Sequence, residues 1–263
     1  MDRSAGPATR QVRRSAARGP VRVGYAMAGA VAGACYSSFL VARPLGSRLS
    51  MVNSYVSELE APGQPARTFF RLTDLVAALF IVVLAVALLR RLVPELRGTA
   101  GCLFLAGVGL AAAADAIEPM PCAPSTNELC HQQVDEVAII AQLHQGHTVS
   151  SVLGVGAAML AMLLLGVSPR VRQRWPWLGR ASLAGGLLLV VLGLSEVPLI
   201  LGRGVGGVER LHVLLISAWL TGLGWQLSRP WRVGRSDGRD PGRRRHLLPL
   251  PAAGIRRSGR VAG

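Results

Sequence analysis

Lysine is absent from this 263-residue chain, and all 29 basic residues are arginine. An all-arginine basic set has the look of high-GC coding and says little about mechanism. Charged residues amount to only 16%, against 51% hydrophobic and a mean hydropathy of +0.39. A soluble domain of this length carries more charge, so that class is excluded. Aromatic residues are scarce at 5%, and none is interleaved with the arginines on a basic face. Despite a net charge of +15, nucleic acid is therefore not an expected partner. No glycine-rich phosphate loop follows a strand, and no nucleophile elbow is present. The period-2 alternation of a membrane barrel is missing as well.

The sequence does contain six apolar stretches, near residues 21–43, 70–90, 98–117, 143–167, 180–201 and 208–228. Each is close to the ~20 residues that cross ~30 Å of hydrocarbon at 1.5 Å per residue. Lipid offers no partner for a free backbone N–H or C=O, so each is expected as a helix. The fold class expected is an all-α, six-span transmembrane bundle, the domain of residues 21–228.

Arginine placement orients it. The N-terminal tail to Arg22 holds six, the loop after span two three, the loop after span four four, and the tail from Arg229 ten. The three opposite loops together hold six. Both termini are thus expected in the cytoplasm of a multi-pass cell-membrane protein, with anionic lipid headgroups attracted to that face. Trp175, Trp177, Trp225 and Trp231 fall at the same helix ends, where interfacial indoles belong. Residues 1–20 and 229–263, both Arg- and Gly-rich, are expected as disordered cytoplasmic tails. Arg13-Arg14 lacks the hydrophobic residues that follow a twin-arginine signal, and five spans follow Cys35, so no cleaved signal is expected.

Two outer loops are long. In residues 44–69, Ser57-Glu58-Leu59-Glu60 predicts a short helix, and Ala61-Pro62-Gly63-Gln64-Pro65 a turn that ends it. In residues 119–136, Cys122 and Cys130 face an oxidising compartment and are expected as a disulfide. The alternative is a metal site that adds His131, although the spacing fits no common zinc pattern.

Titratable residues that enter the spans gather toward their outer ends. Asp74, Asp115, His144, His147, Glu196 and His212 form the candidate polar cluster, with Glu118 and Glu209 nearby. Charge inside a bilayer costs a few kcal/mol, roughly, so such groups face the bundle interior and find partners. Four readings stay open. The groups can be structural, with Arg71 or Arg210 pairing Asp74 or Glu209. His144, His147 and His212 can ligate zinc, since two histidines one turn apart suit it. Histidine and glutamate can relay protons in a small carrier. The cluster can also recognise a lipid headgroup or an envelope partner.

Ser57-Glu58-Leu59, Pro62-Gly63-Gln64-Pro65, Phe70-Arg71, Asp74, Cys122-Ala123-Pro124-Ser125, Cys130 and the His144/His147 pair resemble an uncharacterised bacterial family of multi-pass membrane proteins, the domain of unknown function 998. The resemblance covers residues 22–228 and departs at Glu60, where a small residue is expected. It implies a multi-helix membrane protein and supplies no activity, so no catalytic role is carried over. The Ser, Asp and His set is also loosely similar to ceramidase-like membrane hydrolases, which implies a metal-bound water with Asp115 or Glu196 as base. The His-x-x-x-His pair expected on a late span of those enzymes is missing, since span six has only His212.

Overall fold

A computed structural model describes residues 18–130, 146–199 and 204–229; residues 1–17 and 230–263 of the two tails, His131 and His144 lie outside them, while residues 18–20 are helical. The described residues contain no strand. Helix α1 is Arg18–Tyr36, α2 Arg67–Leu92, α3 Leu96–Ile117, α4 Gly146–Val167, the short α5 Pro169–Arg174, α6 Pro176–Leu199 and α7 Val205–Ser228. Five helices, α2, α3, α4, α6 and α7, are long and apolar enough to cross a membrane. The 26 residues of α2 extend about 39 Å.

The first apolar stretch behaves differently from the expectation of one span over residues 21–43. Its helix ends at Tyr36, and the apolar part identified in it is Val23–Tyr36. The stop has a local cause. The Ser37 hydroxyl joins its own N–H on the Gly33 carbonyl, at 2.7 and 3.1 Å, and the next bond, from the Leu40 N–H to the Ser37 carbonyl, tightens to the 3-10 pattern. A 3-10 turn, Ser38–Val41, follows, and Pro44 disfavours helical backbone at Arg43. The other boundaries follow familiar chemistry. Glu95 caps α3 by accepting from the N–H groups of Arg97 at 3.0 Å and Gly98 at 2.8 Å. Ser168 caps α5, and Pro169 supplies the preset φ of its first residue.

Each long helix packs on its neighbours in the chain, with α4 meeting α6, and α7 returns to α1 to close the ring. Close approach is achieved with glycine. A Cβ on Gly29 would stand 2.8 Å from the Gly224 Cα, and one on Gly166 would stand 2.6 Å from the Leu183 nitrogen. The interior toward the α2 C-terminus is apolar and includes Leu84, Leu88, Leu105, Met162, Leu165 and Leu220, none exposed. The outward faces carry exposed apolar side chains such as Leu79, Leu110, Leu153 and Leu194, which water would penalise and lipid accepts.

At the opposite end, residues 37–66 fold back over the bundle. The expected Ser-Glu-Leu-Glu helix forms as a 3-10 turn, Ser57–Glu60, and Gly63 adopts φ of 85° in the turn that follows. Phe39, Leu49, Leu59 and Phe70 make a small separate core beneath this loop. Cys122 and Cys130 lie at disulfide-bonding distance, with Cα atoms 6.2 Å apart.

Candidate functional site

The two covering loops are joined through a buried carboxylate. Glu58 is fully buried. Its Oε1 accepts from the Tyr55 N–H at 2.8 Å, while its Oε2 accepts from the N–H of Ser125 at 3.1 Å and from the Ser125 hydroxyl. The Ser54 hydroxyl donates to that of Ser125 at 2.8 Å. The loop is also pinned to α7. Glu209 accepts from the Val56 N–H at 2.7 Å, and buried Arg210 donates to the Ser54 carbonyl at 2.7 Å and the Gly206 carbonyl at 2.8 Å. Beneath this cover lie the titratable groups.

Asp115, near the end of α3, faces the first turns of α4. It accepts from the hydroxyls of Ser150 and Ser151, the latter at 3.1 Å to Oδ2. His147 Nδ1 comes within 3.2 Å of Asp115 Oδ1 without aligning for a hydrogen bond, and that nitrogen is buried without a partner. The serines bond to the carboxylate and not to the imidazole, so the order differs from a serine–histidine–aspartate relay. His212 is 2% exposed; its Nδ1 is 2.9 Å from Glu196 Oε1, and its Nε2 is 3.4 Å from the Leu189 carbonyl. This pair joins α7 to α6.

Asp74 is reached by a residue outside the expected cluster. Glu60, at the end of the 3-10 turn, is buried, and its carboxyl stands within hydrogen-bonding reach of that of Asp74, while its own Oε2 is buried with no partner. Two carboxyl groups can share a hydrogen bond only with one proton between them. Burial pushes the Glu60 carboxyl up from its ordinary value; Asp74's hydrogen bond, His147 and Arg71 act in the opposite direction, while Asp115 adds to the rise. The departure of Glu60 from the family pattern was the signal for it. The Arg71 pairing expected with Asp74 is replaced by another. Its Nε donates to the Ala116 carbonyl at 2.7 Å and its Nη2 to that of Ile117 at 3.3 Å. A cation there complements the negative C-terminal end of α3.

Five of the six candidate residues are described, and with Glu60, which was not among them, they stand in three pairs, Glu60–Asp74, Asp115–His147 and Glu196–His212. Glu209 stands within electrostatic reach of both His147 and Glu196, and the Tyr36 phenol within reach of Asp74, Asp115 and Glu209. His147 and His212 turn to different carboxylates. Among the described residues no three histidine, cysteine or acidic side chains gather as metal ligands.

A family model described as a protein of unknown function (DUF998) matches residues 28–226. No curated protein and no solved structure matches the chain.

Proposed function

We propose, for a chain that belongs to the DUF998 family, that the outer polar cluster is the proton-handling centre of a small membrane carrier. The apolar helices suggest an integral, multi-pass membrane protein. On this reading α1 completes a set of six spans in the cell membrane, and both termini face the cytoplasm. The arginine asymmetry supports that orientation, as do Trp175, Trp177 and Trp225, which lie at the α2 C-terminal end of the bundle.

The closeness of two carboxyls, Glu60 buried in the loop and Asp74 on α2, carries the proposal. With one proton the pair is stable in a site of low dielectric. Without it, two adjacent carboxylates repel across the contact between the outer loop and α2. Proton occupancy therefore controls how firmly that loop sits on the helix. Asp115–His147, Glu209 and Glu196–His212 offer further proton acceptors beneath the loop. A carrier needs this coupling of a proton to the position of a gate.

The test is infrared spectroscopy of the protein reconstituted at pH 7. A protonated-carboxyl band is expected, and its frequency shifts in both Glu60→Gln and Asp74→Asn, because the carboxyl that remains loses its partner. A spectrum without that band, or a band unchanged in both variants, refutes the shared proton.

A further inference from the structure

The opposite end of the bundle is charged in one sense. Three arginines stand at or after the end of α2, four around α5 and one after α7, against a single carboxylate, Glu95, among the described residues. Glu95 is already engaged, because it caps α3 and accepts from the Ser168 hydroxyl at 2.5 Å. The arginines are not an undirected fringe. Arg91 lies over the Tyr25 ring, 4.8 Å from its centroid, and donates to the Leu227 carbonyl at 3.1 Å, so α1, α2 and α7 together fix it. Arg170 donates to the carbonyl of Leu92, the neighbour of Arg91, at 2.8 Å. Arg174 is one turn after Arg170 on the same face of α5, with its guanidinium 4.7 Å from the centroid of the Trp175 ring. Trp175 is itself buried. Burial first, and then the charge of Arg91, pulls the Arg174 guanidinium below its ordinary value.

Like charges held together by aromatic floors and backbone carbonyls favour an anion among them. The guanidinium fork matches phosphate oxygens in a bidentate geometry. We infer that Arg91, Arg170 and Arg174 form a binding site for the phosphate of an anionic lipid, one headgroup held where α2, α5 and the ends of α1 and α7 meet. The inference rests on the bilayer placement proposed above and is independent of the proton pair at the other end. A lipid phosphate is favoured over a soluble one because the exposed indoles of Trp177 and Trp225, at the same end, mark an interfacial depth.

Thermal unfolding in nanodiscs tests it. In zwitterionic phosphatidylcholine doped with phosphatidylglycerol, the wild type is expected to melt several degrees higher than in phosphatidylcholine alone. At least half of that shift should vanish in Arg174→Gln. Arg91→Lys, which keeps the charge but not the fork, should lose a similar part. Arg97→Gln, at the same end but exposed and outside the trio, should keep the full shift. Equal loss in Arg97→Gln would mean a diffuse surface potential and overturn the site. An equal shift from millimolar inorganic phosphate in pure phosphatidylcholine would overturn the lipid assignment. No shift in the wild type would overturn both. The carboxyl infrared band is unaffected by any of these outcomes, so the two proposals fail separately.

Discussion

Replacing Glu58 should release the outer cover. The carboxylate accepts three hydrogen bonds, and two of the donors are backbone N–H groups, those of Tyr55 and Ser125. In Glu58→Ala both N–H groups lose their acceptor beneath the loop. A buried donor left without a partner costs about 1–3 kcal/mol, so the pair costs about 2–6 kcal/mol. Glu58→Gln should fall at the lower end, about 1–3 kcal/mol. Its amide oxygen still serves Tyr55, but its NH2 opposes the Ser125 N–H, and only the serine hydroxyl can turn to accept. Ser125→Ala removes the hydroxyl alone. A double-mutant cycle with Glu58→Ala should therefore return a coupling of about 1.5–3 kcal/mol, the range for a hydrogen bond to a charged group. Unfolding in mixed micelles by dodecyl sulfate titration, followed by tryptophan fluorescence, measures all four proteins. Limited proteolysis then locates the change, which should be faster cleavage between residues 47 and 66. A Glu58→Ala variant within about 0.5 kcal/mol of wild type, with no coupling to Ser125, refutes the clamp.

Three further outcomes are expected. The native state holds a proton on Glu60 at higher pH than the unfolded chain does, since burial raises that group. Its contribution is full below the unfolded carboxylate value and is lost as pH rises through the raised native one, so stability falls over that interval. Melting curves across pH should show this fall in the wild type and a flatter profile in Glu60→Gln; parallel profiles would refute it. Gly29→Val should cost about 1–3 kcal/mol or more in the same micelle titration, because the new atoms meet the backbone of α7 at Gly224 and Leu220. Maleimide labelling of Cys122 and Cys130 should require prior reduction, and reduction should lower stability by about 2–3 kcal/mol. Labelling without a reductant would exclude the bridge.

Much of the architecture was readable because lipid imposes a simple rule, about twenty apolar residues per crossing. The helices α2, α3, α4, α6 and α7 follow it, and the described acids and histidines named from sequence lie toward the end of the bundle opposite the α2 C-terminus. Pairing was not readable. His212 finds Glu196 because α6 and α7 are adjacent in a ring whose order no periodicity reveals. Arg71 could pair with Asp74, three residues away, in one of the four open readings, yet its long guanidinium reaches the carbonyls at the end of α3. Glu60 sits in a loop, where sequence gives no direction for a side chain; only folding the loop back turns it toward Asp74. The shortened α1 was hidden for a related reason. Hydropathy counts Phe39, Leu40 and Val41 as span, while the backbone there has tightened into a 3-10 turn ahead of Pro44.

The seam between α1 and α7 has a consequence for synthesis. The Thr221 hydroxyl donates to the Gly29 carbonyl at 3.4 Å across 192 residues of sequence. At about 5–20 residues per second, a ribosome needs about 10–40 s to deliver that partner after the first helix has been made. During that interval Gly29 and Gly33 present bare backbone to lipid, or to whatever insertion machinery shields them. Among the described helices, the last to emerge is then the one that relieves α1, and it closes the ring. A truncation that removes α7 would leave the earlier helices open along one side, as a lasting client of membrane quality control.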